Sequence, residues 1–444
     1  MKKLLVKKRQ FITEDQEPFF FTACTAWELF HKLTFAEAKR YLDNRAAKGF
    51  NVIQAVAVAE LDGLNTPSYE GQHVPFHCIE TLSVNEAYFD HVVNVVNYAN
   101  SKGLYVALVP MWGSYIVPTA QWGNDVQPIF HQDNVVPFIS YLADKMQNCD
   151  VIWMIGGDRS YLKAEHRKVM RLMADSIRAV CGTSQLITAH TQGGRSLYDM
   201  LEQPDWLDFL TWQTGHMGAA YPSWYPVEHD YNRHDMPIIN AEPCYEAHPI
   251  MNEYTFTRSD GASRHTDAQI RRASYWSVFA GSAGITYGCY SLWQMRREED
   301  DAIEVPESAA VAYRGDTIPY WHQVLDYPGA FQIGILRRFI DGLYQPEKRV
   351  PANELLLSDN PAGESHVRVM KHEAGEWVAA YIPENQKIIL DVSEFGVNGF
   401  EIYWFNPIYG ITNKMSDDIT ESLILNITTP LNQHDWVLLL QAKP

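Results

Sequence analysis

Two carboxylates in this sequence have the clearest capacity for chemistry, because each closes an apolar run. Asp158 follows VIWMIGG (151–157), and Glu242 ends PIINAE just before Pro243. A carboxylate at the end of a buried strand caps a helix, joins a structural ion pair, or acts as an acid, base or nucleophile. Two carboxyl groups facing one glycosidic bond could hydrolyse it, since one protonates the leaving oxygen while the other reacts at the anomeric carbon.

The elements that must position these side chains alternate regularly along the chain. From residue 19, apolar runs precede helical patterns, and T-F-A-E (34–37) and S-V-N-E (83–86) are typical of capping boxes at helix starts. Eight such units predict a (β/α)8 TIM barrel of parallel strands, and no G-x-G-x-x-G motif follows the first strand to indicate a dinucleotide-binding fold. The runs are FFFTACTAW (19–27), FNVIQAVAV (50–58), LYVALVPM (104–111), VIWMIGGD (151–158), LITAH (186–190), DFLTWQ (208–213), PIINAEP (237–243) and AGITYGCYSLW (283–293).

The chain is predicted to divide into three parts. Residues 1–18 are expected to form a β-hairpin and residues 19–345 the barrel. The pattern changes after about residue 350 to short apolar or alternating runs separated by turns, such as EWVAAYIP and FEIYWFNP. This pattern predicts a C-terminal antiparallel β-sandwich domain over residues 350–444.

The carboxyl ends of the barrel strands are where a TIM barrel carries its active site. Asp158 and Glu242 close the fourth and seventh strands, so they are expected to converge across the mouth as acid and nucleophile. Burial would raise the pKa of Asp158, and an inward-pointing Arg159 would oppose that rise. Glu246 is the main rival of Glu242 as the nucleophile. The predicted substrate contacts are Trp27, Glu60, Asp62, Trp112, Arg159, His190, Trp212, Gln213, His216, Tyr245, Glu246 and Trp293.

Each of these side chains also has a structural interpretation. Loop carboxylates such as Glu60 and Asp62 are commonly solvated, the histidines can be satisfied within the fold, and tryptophans fill barrels as well as they stack on sugars. The sequence contains neither H-x-H nor H-E-x-x-H, so we expect no metal site and no cofactor. Six cysteines without a C-x-x-C pair are expected to be free thiols.

Charge and composition limit the partners. With 36 Lys+Arg against 54 Asp+Glu, the formal net charge of -18 argues against a nucleic-acid partner. No run approaches the ~20 apolar residues of a membrane span. The first residues lack the apolar core of a secretory signal, which predicts a cytoplasmic protein unless a signal has been removed.

Several long stretches resemble glycoside hydrolase family 140, the apiosidase-like family, across most of residues 10–345. The resemblance implies a retaining mechanism on a (β/α)8 barrel, with Asp158 of the G-G-D-R motif as acid/base and Glu242 of the A-E-P motif as nucleophile. The remainder resembles the collagen-binding-like β-sandwich that usually follows. The stretches are WELFHKL (27–33), WMIGGDR (153–159), WLDFLTWQTGH (206–216), INAEPCYE (239–246) and YWSVFAGSAGITYG (275–288).

Two departures from the family pattern bear on the substrate. The family usually shows G-D-T-A-W after the first strand, whereas this chain has ACTAW, with Cys24 in place of the aspartate; it also has NAEP where GEP is common. The resemblance implies an exo-acting glycosidase for plant-wall-type, pectic glycosides, including apiose-containing ones. The alternatives are a glycosidase of different sugar specificity, a catalytically inactive carbohydrate-binding protein on this scaffold, and a hydrolase of non-glycosidic bonds.

Overall fold

The computed structural model describes residues 1–118, 127–218, 220–251, 263–302, 318–395, 399–415, 423–430 and 435–443. The chain begins with two paired antiparallel strands, Leu4–Lys7 and Gln10–Thr13, joined by a short third strand, Pro18–Phe19. Phe11 of the second strand packs edge-on against Phe209, with ring centroids 5.0 Å apart. Because Phe209 precedes a barrel strand, this small sheet covers the amino-terminal end of the barrel.

Eight parallel strands form the predicted barrel and place their carboxyl ends at one mouth. Around the sheet they run fifth, fourth, third, second, first, eighth, seventh, sixth. The fifth and sixth strands meet through the Asp208 amide, which donates to the Ile187 carbonyl at 2.8 Å, and through the Thr188 hydroxyl, which donates to the Phe209 carbonyl at 2.8 Å. The strands are Phe21–Thr25, Val52–Val58, Tyr105–Met111, Val151–Gly156, Ile187–His190, Leu210–Gln213, Ile238–Glu242 and Gly284–Tyr287.

Helices cover the outside of this sheet, which explains why its strands are apolar on both faces. The predicted capping box at Thr34 is confirmed, since the Thr34 amide donates to Glu37 at 2.9 Å and the Thr34 side chain accepts from the Glu37 amide. The predicted box at 83–86 is wrong: Asn85 caps that helix, because its side chain accepts from the Ala87 amide. The helices are Leu29–Lys32, Phe35–Ala47, Glu86–Ser101, Val135–Met146, Ala164–Cys181, Leu197–Met200, Trp224–Tyr231, Asp267–Phe279, Tyr290–Trp293 and Pro328–Asp341.

Within the described residues, no helix has the length and apolar character needed to cross a membrane.

The C-terminal part is the predicted antiparallel β-sandwich, with its own apolar core between two sheets. A two-stranded sheet, Lys387–Asp391 with Ile424–Thr428, packs against a larger one. Within the described residues, the larger sheet has six strands in the spatial order Arg349–Pro351, Arg368–His372, Trp377–Ile382, Trp436–Ala442, Phe400–Asn406 and Ile411–Lys414.

The sandwich braces the helix that follows the seventh barrel strand. Arg271 of that helix, Asp267–Phe279, forms a buried two-point ion pair with Asp435 of the sandwich, at 2.6 and 2.8 Å. One turn further on, the Tyr275 ring stacks on Tyr381 with centroids 4.7 Å apart. The helix is therefore buried between barrel and sandwich rather than exposed on the outside of the barrel.

Replacing Asp435 by alanine tests this bracing contact. The substitution removes the two-point partner of the buried Arg271 guanidinium and leaves, within the described residues, only the longer carboxylate contact to Asp267, at 3.3 Å, so we expect the free energy of unfolding to fall by about 3–5 kcal/mol. Urea unfolding followed by circular dichroism measures the change. Glu394→Ala is the matched control, because it removes an exposed partner of Lys371 and should cost about 1 kcal/mol or less. Equal effects of the two substitutions would contradict a bracing role.

Candidate active site

Asp158 lies on a strained turn that only a glycine pair can provide. Gly156 and Gly157 have φ values of 95° and 152°, and Asp158 itself has a φ of 25°. A Cβ on Gly156 would lie 2.7 Å from the His190 carbonyl oxygen, and one on Gly157 would lie 2.7 Å from the Trp112 ring. The G-G-D sequence therefore lets the chain pass close to the third and fifth strand ends and turn Asp158 into the mouth.

The environment of Asp158 favours its protonated form. Burial and the negative charge of Glu242 raise the pKa of Asp158 to about 6, although Arg159 acts in the opposite direction. The Arg159 guanidinium lies 3.7 Å from the Asp158 carboxylate and donates instead to the Asp158 carbonyl oxygen at 2.6 Å. Arg159 thus faces Asp158, but it does not outweigh burial and the charge of Glu242, so the pKa of the carboxyl group stays above its usual value.

Glu242 has the opposite environment at the end of the seventh strand. Its side chain is 8% exposed, and burial alone would raise its pKa. Two histidines outweigh that effect: His190 Nε2 lies 3.0 Å from Oε2, and His216 Nε2 lies 3.4 Å from Oε1. Their contacts hold the pKa of Glu242 below its usual range. One buried mouth therefore combines a carboxylic acid with a carboxylate, which is how two chemically similar groups take different catalytic roles.

The predicted tryptophans divide into two groups. Trp27 and Trp112 pack on each other at 5.4 Å and flank His190 at 5.3 and 6.0 Å, with 2% of each residue exposed. Trp212 is buried, and its Nε1 donates to Asp230 at 2.9 Å. Trp293 is half-buried, in the short helix after the eighth strand. The first pair thus supports His190, and Trp212 anchors the helix that carries Asp230.

The two carboxylates predicted after the second strand have different surroundings. Glu60 is half-buried, and its pKa lies well above the usual value because of burial. Arg159 lowers that pKa, while the charges of Glu28, Asp158 and Glu242 raise it, so Glu60 belongs to the carboxylate cluster. Asp62 is exposed and accepts hydrogen bonds from Asn65 and Thr66, both at 2.7 Å. Its carboxylate organises its own turn.

The loop after the second strand is fixed by a buried pair, Glu28 and His31, that was not among the predicted site residues. Glu28 contacts His31 Nδ1 at 2.8 Å and accepts a hydrogen bond from the Leu61 amide at 3.1 Å. His31 Nε2 lies 3.1 Å from the Thr66 carbonyl oxygen. Both ring nitrogens therefore contact oxygen atoms, which fixes the ring between Glu28 and the main chain at Thr66. The three-residue spacing of Glu28 and His31 within WELFH was the available signal.

Gln213 and Tyr245 both adjoin the pair formed by Asp158 and Glu242. The Gln213 side chain hydrogen-bonds to the Asp158 carboxylate and so favours its ionised form, which lowers its pKa, but burial outweighs this contact. Tyr245 is buried beside Glu242, with its ring edge-on to His216 at 4.6 Å. Its main-chain amide donates to His216 Nδ1 at 3.3 Å.

Glu246, the rival nucleophile, has a different environment. Its Oε2 accepts from the Tyr287 hydroxyl at 2.6 Å, and its Oε1 accepts from the Gly329 amide at 3.2 Å, in the first turn of helix Pro328–Asp341. Burial raises the pKa of Glu246 to about 7. The Glu246 carboxyl group thus links the ends of the seventh and eighth strands to that helix. These contacts are typical of a structural residue.

Two further histidines surround His216 and were missed by the sequence analysis. The His248 ring stacks on His216 with centroids 3.8 Å apart, and His265 Nε2 donates to the His216 carbonyl oxygen at 3.1 Å. Burial lowers the pKa of His248 well below its usual value and that of His265 to about 4. No motif marks either residue in the sequence, and residues 252–262 between them lie outside the described part.

Cys24 points away from the mouth. Strand residues alternate between faces, and Thr25 contacts Gln54 inside the barrel, whereas Arg45 Nη1 donates to Cys24 Sγ at 3.7 Å from the surrounding helix Phe35–Ala47. The departure from the family pattern at this position therefore lies in the buried layer between strands and helices. All six cysteines are free thiols.

Across the residues that the structure describes, no group of three or more His, Cys, Asp or Glu side chains is arranged to hold a metal ion.

Comparisons with known proteins agree with this architecture. No curated protein matches the chain. Its fold is similar to that of a solved glycoside hydrolase, with a TM-score of 0.85 at 23% identity, covering 99% of this chain and 97% of that one. It is also similar to a glycoside hydrolase family 5 structure from Bacteroides vulgatus ATCC 8482, with a TM-score of 0.84 at 23% identity, covering 99% and 93%. These similarities confirm the predicted barrel-plus-sandwich fold.

Family models match both parts of the chain. The model "Putative collagen-binding domain of a collagenase" matches residues 350–441. The model "Apiosidase-like, catalytic domain" matches residues 6–345, which include every candidate site residue discussed above. The predicted resemblance is therefore confirmed, and the chain belongs to the apiosidase-like family of glycoside hydrolase catalytic domains.

Proposed function

We propose that this protein is a retaining, exo-acting glycoside hydrolase in which Asp158 is the acid/base and Glu242 the nucleophile. The observation that carries the proposal is the opposed electrostatics of the two carboxyls. Burial and the charge of Glu242 raise the pKa of Asp158 to about 6, while two histidines hold that of Glu242 below its usual range. A retaining enzyme needs this combination of one proton donor and one ionised nucleophile.

The reaction proceeds in two steps. Asp158 first protonates the glycosidic oxygen while the Glu242 carboxylate attacks the anomeric carbon, which releases the aglycone and forms a glycosyl ester. Asp158, now ionised, then removes a proton from water, and that water attacks the anomeric carbon and frees Glu242. No step requires a metal or an organic cofactor.

The proposed substrates are pectic and related plant-wall glycosides, with apiosides as the first class to test. The family match carries this choice. The orientation of Cys24 supports it, because the departure from the usual motif does not change a side chain at the mouth. A screen of aryl glycosides and pectic oligosaccharides for released monosaccharide identifies the sugar. Saturable binding without release would favour the inactive carbohydrate-binding alternative.

Replacing the nucleophile tests the assignment of roles. Glu242→Gln keeps the shape of the side chain but removes the charge, so we expect turnover to fall by roughly 10³-fold or more. Glu246→Gln is the matched control, because Glu246 is a buried glutamate four residues away that serves a structural contact, and it should keep activity within about 10-fold. Circular dichroism verifies that both variants fold. Loss of turnover in Glu246→Gln but not in Glu242→Gln would reverse the assignment.

The pH dependence tests the acid. Since Asp158 must be protonated to donate, kcat/KM should fall as the pH rises through about 6, the raised pKa of Asp158. On the acidic side, activity should persist below about pH 4, because the pKa of Glu242 is held below that of an ordinary glutamate. Initial rates across pH measure both limbs. In Asp158→Asn the fall near pH 6 should disappear from the residual activity towards substrates with good leaving groups; its persistence would exclude Asp158 as the acid.

A further inference from the structure

We propose that His190 and His216 are positioning residues: a matched pair of neutral imidazoles whose Nε2 atoms contact the Glu242 carboxylate, each fixed by a main-chain amide on its other nitrogen. His190 additionally ties the turn of Asp158 to Glu242. From the sequence, both histidines were predicted to contact the substrate. The kinetic consequences of this inference rest on the proposed function, but the protonation of the rings does not.

The contacts of His190 determine its tautomer. The Asp158 amide donates to His190 Nδ1 at 3.1 Å, so the lone pair of Nδ1 is in use and that nitrogen carries no hydrogen. The proton of the neutral ring must then be on Nε2, which lies 3.0 Å from Glu242 Oε2. A proton added to Nδ1 would face the Asp158 N–H group. The rings of Trp27 and Trp112 fix the imidazole from the sides.

His216 repeats this arrangement from the opposite side. The Tyr245 amide donates to its Nδ1 at 3.3 Å, which places the ring proton on Nε2, 3.4 Å from Glu242 Oε1. The stacked ring of His248 holds the plane of the imidazole. The two carboxylate oxygens therefore each meet one imidazole nitrogen, and both rings are fixed by a backbone group rather than by an acid. Neither is arranged as a general base.

The two histidines differ in what their anchors connect. The anchor of His216 belongs to Tyr245, three residues after Glu242 on the same chain segment. The anchor of His190 belongs to Asp158 itself, whose φ of 25° is an unfavourable conformation that this hydrogen bond helps to maintain. Removing the His216 ring should disturb Glu242 alone, whereas removing the His190 ring should disturb both catalytic residues.

Other charged or titratable groups face Glu242 as well, and none of them is substituted in the His190 and His216 variants described below. They come from the strand ends around the mouth, and their charges act on the two carboxyls in every variant. These groups are Glu60, Asp158, Tyr245 and His248, with Arg159 acting on Asp158.

The first measurement needs no substrate. In the full-length chain labelled with ¹⁵N-histidine, long-range ¹H–¹⁵N correlation at pH 7.5 distinguishes the two neutral tautomers from the imidazolium, and His190→Gln and His216→Gln assign the signals. We expect both rings to carry their proton on Nε2 and to have a bare Nδ1. An Nδ1–H tautomer or an imidazolium at either position would overturn the inference, whatever the protein hydrolyses.

The second measurement uses the pH profile of kcat/KM. His216→Met fills the space without donating, so the acidic limb should rise by roughly one pH unit and kcat should fall roughly 10–100-fold, the effect of one lost hydrogen bond to a charged group. The amide of His216→Gln can still donate to Glu242, so this variant should restore most of kcat and most of the wild-type position of the acidic limb. His131→Gln, at an exposed histidine outside the site, is the control and should match the wild type.

The His190 variants then test the coupling. His190→Met should move the acidic limb up and the basic limb down, since the Asp158 turn also loses its anchor and its carboxyl gains solvent. His190→Gln should restore only the acidic limb. The positioning role would be overturned if the acidic limb stayed in place in both Met variants. It would also be overturned if the Gln variants had the same kcat and the same acidic limb as the Met variants. A wild-type chain without glycosidase activity would instead contradict the proposed function and leave the ring measurement valid.

Discussion

A carboxylate buried in the mouth of the barrel is the constraint that organises this protein. An ion of this kind costs several kcal/mol unless it is compensated. The compensation for Glu242 comes from His190 at the end of the fifth strand and from His216 in the loop after the sixth. Both histidines reach Glu242 because the parallel strands place their carboxyl ends at one mouth. Closure of the barrel between its fifth and sixth strands is thus a requirement of the site as well as of the core.

Asp158 shows how the same burial produces the opposite result. It is surrounded by the same mouth, but its nearest cation, Arg159, donates to the main-chain carbonyl of Asp158 and lies 3.7 Å from the carboxylate. The charge of Glu242 adds to the effect of burial. The pKa values of the two carboxyl groups therefore move apart. Both imidazoles contact Glu242 and neither contacts the Asp158 carboxylate, so Asp158 is the easier group to protonate.

Periodicity predicted the fold well because its signals are local and repeated. Eight apolar runs followed by helical patterns specify parallel strands covered by helices, and strand ends then nominate Asp158 and Glu242. The capping box predicted at Thr34 is present, but the one predicted at 83–86 is absent, because the Asn85 side chain caps that helix instead. Local patterns are reliable where a single hydrogen-bonding arrangement dominates.

The surroundings of the site were harder to predict because they depend on which way a side chain points. Glu246 follows Glu242 by four residues, yet its carboxyl turns to Tyr287 and the helix at Pro328. Trp212 was a candidate for sugar stacking, but it donates to Asp230. The interpretation of the histidines as substrate contacts missed their anchoring amides, since no sequence pattern encodes a bond between a ring nitrogen and a distant main-chain group.

The central claim is that Glu242 attacks the anomeric carbon while Asp158 carries the proton. Incubation with an activated 2-deoxy-2-fluoro glycoside of the cleaved sugar, followed by peptide mass spectrometry, tests it most directly, because the fluorine slows hydrolysis of the glycosyl ester. The account predicts a stable adduct on the peptide that contains Glu242, with the ester on that residue. An adduct on Glu246 or on Asp158, or turnover of the natural substrate with inversion and no adduct, would contradict it.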